Sequence, residues 1–299
     1  MKRYVALLLM LLLLPCGCAK TPTVKVGIIE PLSGGYAAGG QLEHQGICQA
    51  HQEFSWAGES RIELVPADNA SSEEGARTAA QQLVDAGVSV VVGSWGTPLS
   101  QAASEVFAKH NIPAVATNAR VTNNNSYFSV AFTEAEQGQV LAQLAQEKGW
   151  QRVAILYNEK ENYDIALRNA FIEAAGVDVI GAQGIYPPDC ADFTDYVAAM
   201  EREQVDALLV PSAADAVVGL TQLPVMGGDV CQADGVYRAV YGPVSDVGYD
   251  GYLLALALLD GATEVEGRTG RFVYTEGCWR RTSLPIQTPN GIEKKQLTR

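Results

Sequence analysis

One stretch in the middle of the chain limits the possible fold more than any other. An almost unbroken apolar run over residues 88–92 is followed by a glycine-rich turn at 93–96. Such a run is typical of a strand that is buried on both faces of a parallel sheet. Thr97 and Pro98 then favour a helix start, with Thr97 as the N-cap and Pro98 at the first helical position.

The helix that follows is predicted to be amphipathic and to lead into a second buried strand. Apolar residues recur three and four positions apart between Leu99 and Phe107, and the next apolar run covers 112–116. At the turn between such a strand and helix, backbone N–H groups and the helix dipole point at the sheet edge. We therefore expect this turn to suit an anionic group on a small ligand.

Alternating strand and helix patterns occur in two successive blocks that are separated near residue 132. The pattern restarts at Thr133, and from Val236 onward it is less regular, with a nearly all-apolar helix at 249–259. Two blocks of this kind favour two doubly wound parallel-sheet lobes over one large sheet. The predicted fold is therefore α/β, with two lobes joined by a hinge.

The order of the blocks also predicts which residues belong to each lobe. Lobe 1 is expected to contain residues 24–132 and about 244–270. Lobe 2 is expected to contain residues 133–243 and about 271–299. Because each lobe takes segments from both halves of the chain, the chain must cross between the lobes three times.

The first residues of the chain are typical of an export signal. Two basic residues precede an apolar run that is too short to span a bilayer, for which about 20 residues are needed. Gly17-Cys18 resembles the end of a bacterial lipobox, although Pro15 stands where an aliphatic residue is usual. We predict that residues 1–17 are a lipoprotein signal peptide and that Cys18 is lipidated. Residues 18–23 are then a tether to a membrane, on its periplasmic or outer side.

The charge of the chain excludes one large class of partners. The formal net charge is −13 at pH 7, and losing the two basic residues of the leader would make the chain still more acidic. Binding to nucleic acid needs clusters of Lys and Arg that neutralise phosphates. An acidic chain is also unsuited to docking on anionic lipid by charge. We expect no nucleic-acid partner.

Apart from Cys18, four cysteines follow the leader, namely Cys48, Cys190, Cys231 and Cys278. An exported protein can pair its cysteines, and four of them allow three connectivities. Their spacing is not that of a metal site. The sequence leaves the pairing open, and a Cys231–Cys278 bond is preferred here.

One cluster of residues has the spacing of metal ligands. His44, Cys48 and His51 share one face of a predicted helix, which is a geometry that metal ligands use. The alternative is a half-exposed polar margin beside the apolar stripe of the same helix. Because no fourth ligand is in view, we expect no metal.

The turn after the central strand is also similar to a hydrolase motif. A nucleophile elbow has the pattern Gly-x-Ser-x-Gly, but the residue two before Ser94 is Val92. A hydrolase of that kind would need a later histidine, and none follows His110. The glycines of the first loop do not form a dinucleotide-binding Gly-x-Gly-x-x-Gly pattern. We expect neither an enzyme nor a cofactor.

The order of short motifs along the chain resembles that of one family of transport proteins. The motifs are, in order, Val26-Gly-Ile-Ile-Glu-Pro-Leu-Ser-Gly, Val91-Val-Gly-Ser-Trp-Gly-Thr, Ile112-Pro-Ala-Val-Ala-Thr, Val153-Ala-Ile-Leu-Tyr and Met226-Gly-Gly-Asp. This order is similar to that of the leucine/isoleucine/valine-binding family of ABC-transporter substrate-binding proteins, which have the type I periplasmic binding fold. The resemblance implies two lobes that close on a small ligand, such as an amino acid or similar carboxylate. It also implies a partner permease in the cytoplasmic membrane.

The resemblance further implies which residues of lobe 1 contact the ligand. Thr97 stands at the family position whose hydroxyl and backbone N–H hold a ligand carboxylate, in agreement with the helix-dipole argument. Asn118 and Ala119 match a second contact to the carboxyl and amino groups. Trp95 and Tyr36 are expected to line the side-chain pocket.

Across the cleft, three residues of lobe 2 match further family contacts. Glu134 matches an acidic or polar contact, Tyr163 a closing aromatic side chain, and Asp229 the carboxylate that receives an ammonium group. Each also has a simpler interpretation as an ordinary solvated side chain, which the sequence leaves open.

Two departures from the family pattern raise a second possible function. The segments on both sides of the helix at 249–259 are shorter than in the family, so the C-terminal third is expected to be shortened. The aromatic residue usual in the first loop falls at Gly39 here, with Tyr36 three residues earlier. The alternative function is an exported sensor or interaction protein that kept the fold but has a degenerate ligand site.

The signal-peptide interpretation makes a direct prediction about the mature chain. We expect Cys18 to be the first residue and to carry lipid, because a short apolar run and Gly17 precede it. Mass spectrometry of the membrane fraction tests this. An unmodified chain that begins at another residue would contradict it.

Overall fold

The computed structural model describes residues 21–121 and 126–297. The α-helices in these ranges, α1–α8, are Ala37–Glu53, Glu73–Asp85, Thr97–Lys109, Glu134–Glu147, Asn162–Ala175, Thr194–Arg202, Ala214–Val217 and Val244–Asp260. The strands β1–β16 are Thr23–Glu30, Trp56–Ala57, Ser60–Asp68, Val90–Val92, Ala114–Ala116, Tyr127–Ser129, Val153–Tyr157, Ile180–Ile185, Ala207–Leu209, Val225–Met226, Val236–Ala239, Glu264–Glu266, Arg271–Thr275, Cys278–Arg281, Ser283–Thr288 and Gly291–Gln296. The predicted signal peptide and Cys18 lie outside the described residues. Within those residues, no helix is long and apolar enough to cross a membrane.

The first sheet contains the strand–helix–strand unit that the sequence predicted. Its strand order is β2-β3-β1-β4-β5-β6, and all neighbours run parallel except β2 and β3. The unit itself is β4, α3 and β5. Val90 and Val92 of β4 pack into one apolar cluster, and Val91 packs into another on the opposite face. The strand is apolar throughout because both of its faces are covered.

The second sheet has the strand order β16-β15-β11-β10-β9-β7-β8. Strands β7 to β11 pair in parallel, whereas β15 and β16 add an antiparallel edge. Helices α4 and α5 cover one face, and α6 and α7 cover the other. The predicted α/β fold with two mostly parallel sheets is confirmed.

The C-terminal part of the chain is divided between the two sheets. Helix α8 packs on the first sheet, where Tyr252 and Leu254 are fully buried. Strands β12, β13 and β14 form a small antiparallel sheet beside it, and β15 and β16 then join the second sheet. We call the first sheet with α1–α3, α8 and β12–β14 lobe 1, and the second sheet with α4–α7 lobe 2.

One boundary between the lobes differs from the prediction. The sequence assigned residues 271–299 to lobe 2, but residues 271–281 lie in lobe 1. Phe272 and Trp279 are buried in the same cluster as the side chains of α8. The stretch forms the short strands β13 and β14, and strands of this length could have joined either sheet.

The preferred disulfide is wrong. Cys48, Cys190, Cys231 and Cys278 are all unpaired. Cys231 is buried in the lobe 2 cluster around β9 and β10, whereas Cys278 packs against the core of lobe 1. The two thiols belong to different lobes, so this fold keeps them apart.

Helices α1 and α8 approach each other closely through two glycines. A Cβ atom on Gly46 would lie 1.7 Å from the carbonyl oxygen of Ser245. A Cβ atom on Gly248 would lie 2.1 Å from the carbonyl oxygen of Glu43. Neither position can carry a side chain unless the helices move apart, so the glycines set the spacing between the two segments of lobe 1.

This close approach predicts a large effect from a small substitution. Gly46→Ala should lower the free energy of unfolding by about 1–3 kcal/mol, because the added methyl group forces the packed helices apart. Gly219→Ala is the matched control, since no atom lies within 4 Å of the added carbon there. Urea denaturation monitored by circular dichroism compares them. Equal stability of the two variants would show that the α1–α8 spacing is not fixed by Gly46.

Candidate functional site

A cleft lies between the lobes, at the carboxyl ends of the parallel strands. Part of it is a cavity of about 280 Å³ that is lined by residues of both lobes. Six residues predicted from the sequence line this cavity, namely Thr97, Asn118, Ala119, Glu134, Tyr163 and Asp229. They meet because the carboxyl ends of parallel strands lie at the same edge of a sheet, and the two sheet edges face each other.

A second, larger cavity of about 460 Å³ adjoins the first. The two cavities share Asn118, Asp229 and Tyr241. Trp95, the seventh predicted site residue, lines this second cavity.

Tyr36 does not line either cavity. It is the N-cap of α1, and 54% of its surface is exposed. The ring of Trp95 lies against Gly39 instead, where a Cβ atom would be 2.8 Å from two of the ring carbons. In this structure the Trp95 ring therefore occupies the space beside Gly39, and Tyr36 is not placed to line the pocket.

On the lobe 1 side, the start of α3 borders the cavity. The N-cap is Gly96, with φ of 89°, and Thr97 is the first helical residue, so the predicted N-cap is off by one residue. The backbone N–H of Gly96 donates to the carbonyl oxygen of Asn118 at 3.2 Å. The backbone N–H of Arg120 donates to Oγ1 of Thr97 at 3.4 Å. These bonds hold the two turns after β4 and β5 together.

On the lobe 2 side, three side chains form a closed hydrogen-bond network. The Tyr163 hydroxyl donates to Oδ1 of Asp229 at 2.5 Å, and Nε2 of Gln137 donates to the same oxygen at 3.0 Å. The ring of Tyr163 also lies against Gly228, where a Cβ atom would be only 2.0 Å from the hydroxyl oxygen. Burial and the nearby Asp229 carboxylate raise the pKa of Tyr163, so its hydroxyl stays protonated and donates to Asp229.

Sequence reasoning missed Gln137. It is a buried polar residue on α4, three and four positions before the fully buried Val140 and Leu141. A polar residue within the apolar stripe of a helix was the signal that could have identified it.

An ion pair joins the lobes across the cleft. A guanidinium nitrogen of Arg120 in lobe 1 lies 3.0 Å from Oε2 of Glu134 in lobe 2. The same guanidinium donates to the carbonyl oxygen of Phe132 at 3.0 Å. Both charged side chains are about one-third exposed, so water screens the pair and its net contribution is below about 1 kcal/mol. Glu134 thus has a partner of its own, and Arg120 was missed from the sequence.

Tyr241 was also missed, and it connects the cleft to a hinge segment. Its ring stacks on Phe132 with the ring centroids 3.8 Å apart. Its hydroxyl oxygen accepts a hydrogen bond from the Phe132 backbone N–H at 3.0 Å. Phe132 and Tyr241 stand at two of the three places where the chain crosses between the lobes.

Two buried carboxyl groups lie beneath the lobe 1 side of the cleft. Glu30 and Glu43 are both fully buried, and the Thr117 hydroxyl lies within hydrogen-bond distance of a carboxyl oxygen of each. Oε2 of Glu30 also accepts the Trp95 backbone N–H at 2.9 Å. Burial raises the pKa of Glu43 to about 8, and burial together with Glu43 raises the pKa of Glu30 well above its usual value. Because Glu30 accepts the Trp95 backbone N–H and Thr117 directly precedes Asn118, this pair fixes the turns that carry Trp95 and Asn118.

The histidine-containing face of α1 does not form a metal centre. Nδ1 of His51 lies 2.8 Å from the Tyr252 hydroxyl, and His44 lies 3.8 Å from the Cys48 sulfur. Across residues 21–121 and 126–297, no group of three or more His, Cys, Asp or Glu side chains could hold a metal ion.

Comparison with known proteins identifies the family. The model of the periplasmic binding protein family matches residues 23–233. The chain belongs to this family. Its members are binding proteins rather than enzymes, and the resemblance inferred from the sequence motifs is confirmed at this level.

Individual relatives support the same assignment. The Leu/Ile/Val-binding protein homolog 6 of Brucella abortus (strain 2308) is 27% identical over 186 residues, which are 59% of this chain and 48% of that protein. The chain therefore spans about half the length of the curated relatives it matches.

Solved structures of the same fold cover most of the chain. A putative branched-chain amino acid ABC transporter protein from Rhodospirillum rubrum has a TM-score of 0.73 and 21% identity, and the match covers 87% of this chain and 99% of that one. The solute binding protein from Rhodopseudomonas palustris BisB5, in complex with 3,4-dihydroxybenzoic acid, has a TM-score of 0.65 and 19% identity, with coverage of 93% and 98%. These likenesses show the type I periplasmic binding protein fold.

The buried carboxyl pair predicts how stability depends on pH. The folded protein binds the proton of Glu43 more tightly than the unfolded chain does. The resulting stabilisation is therefore complete below about pH 4.5 and is lost as the pH rises through about 8. Glu43→Gln should remove this loss, which amounts to at most about 1.4 kcal/mol per pH unit.

Urea denaturation at several pH values between 4.5 and 9 measures the effect. The matched control is Glu63→Gln, because Glu63 is exposed. In this variant the free energy of unfolding should change with pH as it does in the wild type. A slope that is unchanged in Glu43→Gln would mean that Glu43 is ionised in the folded protein.

Proposed function

We propose that this protein is the substrate-binding component of an ABC uptake transporter, and that its ligand is an amino acid or similar carboxylate. The observation that carries this proposal is the cavity between the lobes, which brings together the start of α3 and a carboxylate from the opposite lobe. A helix start favours an anionic group through its N–H groups and dipole. Asp229 on the other side favours a cationic group. An α-amino acid has both groups.

Five of the predicted contacts have a definite role in this proposal. The hydroxyl and backbone N–H of Thr97 hold the ligand carboxylate, with Asn118 and Ala119 beside it. Asp229 receives the ammonium group, and Tyr163 closes over the ligand while its hydroxyl keeps Asp229 in place. Because the ligand contacts both lobes, binding favours the closed arrangement of the cleft.

Export and membrane attachment belong to the same proposal. Family membership is in accord with an exported protein. A lipid on Cys18 would hold the protein near a permease in the cytoplasmic membrane, which would receive the ligand.

A second candidate is an exported sensor or interaction protein without a small-molecule ligand. One observation favours it, since the acidic groups of the cleft already have partners within the protein. Glu134 pairs with Arg120, and Asp229 accepts hydrogen bonds from Tyr163 and Gln137. A thermal-shift screen with amino acids and small carboxylates separates the two candidates. A ligand at a hundredfold excess over its dissociation constant stabilises a binding protein by about 2.7 kcal/mol.

Two substitutions test the assigned contacts. Thr97→Ala should weaken binding of the best amino acid by about 1.5–3 kcal/mol, because it removes a hydrogen bond to a charged group. Asp229→Asn should weaken ligands that carry an ammonium group and spare simple carboxylates. Calorimetric titration measures both, with the exposed Thr23→Ala as control. Wild-type affinity in both variants would place the ligand elsewhere.

A further inference from the structure

One wall of the larger cavity is formed by three neighbouring strands of lobe 2. Arg238 of β11 pairs directly with Gln287 of β15, and Gln287 pairs with Ile292 of β16. Residues directly opposite each other in antiparallel strands lie on the same face of the sheet. All three residues line the cavity of about 460 Å³ that adjoins the proposed amino-acid site.

Arg238 brings a positive charge to the wall of this cavity and has no direct ion-pair partner among the described residues. The guanidinium donates one hydrogen bond, from Nη1 to the carbonyl oxygen of Ala233 at 3.1 Å. A guanidinium has five N–H donors. Among the residues the structure describes, no carboxylate forms an ion pair with Arg238. The side chain is half-buried, so water can form hydrogen bonds with only part of its remaining N–H groups.

The rest of the cavity suits the middle of a ligand that reaches Arg238 from the amino-acid site. Asn118 and Asp229 stand at the end shared with the smaller cavity. Val240, Val244 and Val247 supply apolar surface to the same cavity. A neutral branched side chain would fill the apolar part but would leave the guanidinium without a partner.

We propose that Arg238 binds a second carboxylate at the distal end of the ligand, so that the preferred ligands are acidic amino acids. This inference rests on the proposed function, because it takes Thr97 and Asp229 as the contacts of the α-carboxylate and ammonium groups. Planar guanidinium and carboxylate groups pair through two parallel hydrogen bonds, which gives geometric selectivity as well as affinity. Gln287, beside Arg238 on the same wall, supplies a polar neighbour for this distal carboxylate.

Calorimetric titration with L-glutamate, L-aspartate, L-glutamine and L-leucine tests the proposal. The wild type should bind one of the acidic amino acids at least about tenfold more tightly than L-glutamine or L-leucine, the gain of a hydrogen-bonded charge pair. Arg238→Gln should reduce that affinity by about tenfold or more and change L-glutamine binding by less than about threefold. Arg238→Lys keeps the charge but not the planar guanidinium, so its affinity for the acidic amino acid should lie between those of the wild type and Arg238→Gln.

Arg202→Gln is the matched control, since Arg202 is exposed at the end of α6 and should leave all affinities unchanged. A neutral amino acid could instead bind more tightly than the acidic ones, with an affinity that depends on Thr97 and Asp229 but not on Arg238. That result would overturn this inference and leave the proposed function intact. An absence of binding by any amino acid or carboxylate in the thermal-shift screen would overturn both.

Discussion

The arrangement of the two lobes depends on the side-chain contacts at the places where the chain crosses between them. It crosses three times, and side chains of all three crossings contact one another. The guanidinium of Arg281 donates to the carbonyl oxygen of Val130 at 2.5 Å, and Phe132 stacks on Tyr241. Arg281 is almost fully buried and lies over the ring of Phe272, 4.5 Å from its centroid. A buried charge is stable only when it forms hydrogen bonds. The bond from Arg281 to Val130 therefore holds the third crossing of the chain against the first.

The position of the hinge decides what the cleft contains. Strands of both sheets end towards each other, so the turns after β4 and β5 face the residues at the start of α4 and after β10. Several described polar groups of the cleft are partnered with one another, as in the Arg120–Glu134 pair and the Tyr163–Gln137–Asp229 network. These contacts leave the start of α3 and the Asp229 carboxylate on opposite sides of the same cavity.

Sequence reasoning predicted where the strands end, and the residues that follow them, where local rules apply. The run over 88–92 favoured a strand covered on both faces, and the glycine-rich turn after it favoured an opening at the sheet edge. The residues after these strands therefore met at the cleft as predicted. Tyr36 was misplaced because its contact depended on which ring would occupy the space beside Gly39, and Trp95 occupies it. Local pattern does not contain that information.

The sequence by itself determined the alternation of strands and helices, the two-block order and the family motifs, because apolar periodicity and turn residues act within a few positions of the chain. Only the tertiary structure decided which lobe holds residues 271–281, that Cys231 and Cys278 lie apart, and that Glu30 and Glu43 share the Thr117 hydroxyl. It also brought Arg238 to the wall of a cavity that Asp229 shares. These relations join residues far apart in the chain, and they depend on how whole elements pack, which no short stretch of sequence specifies.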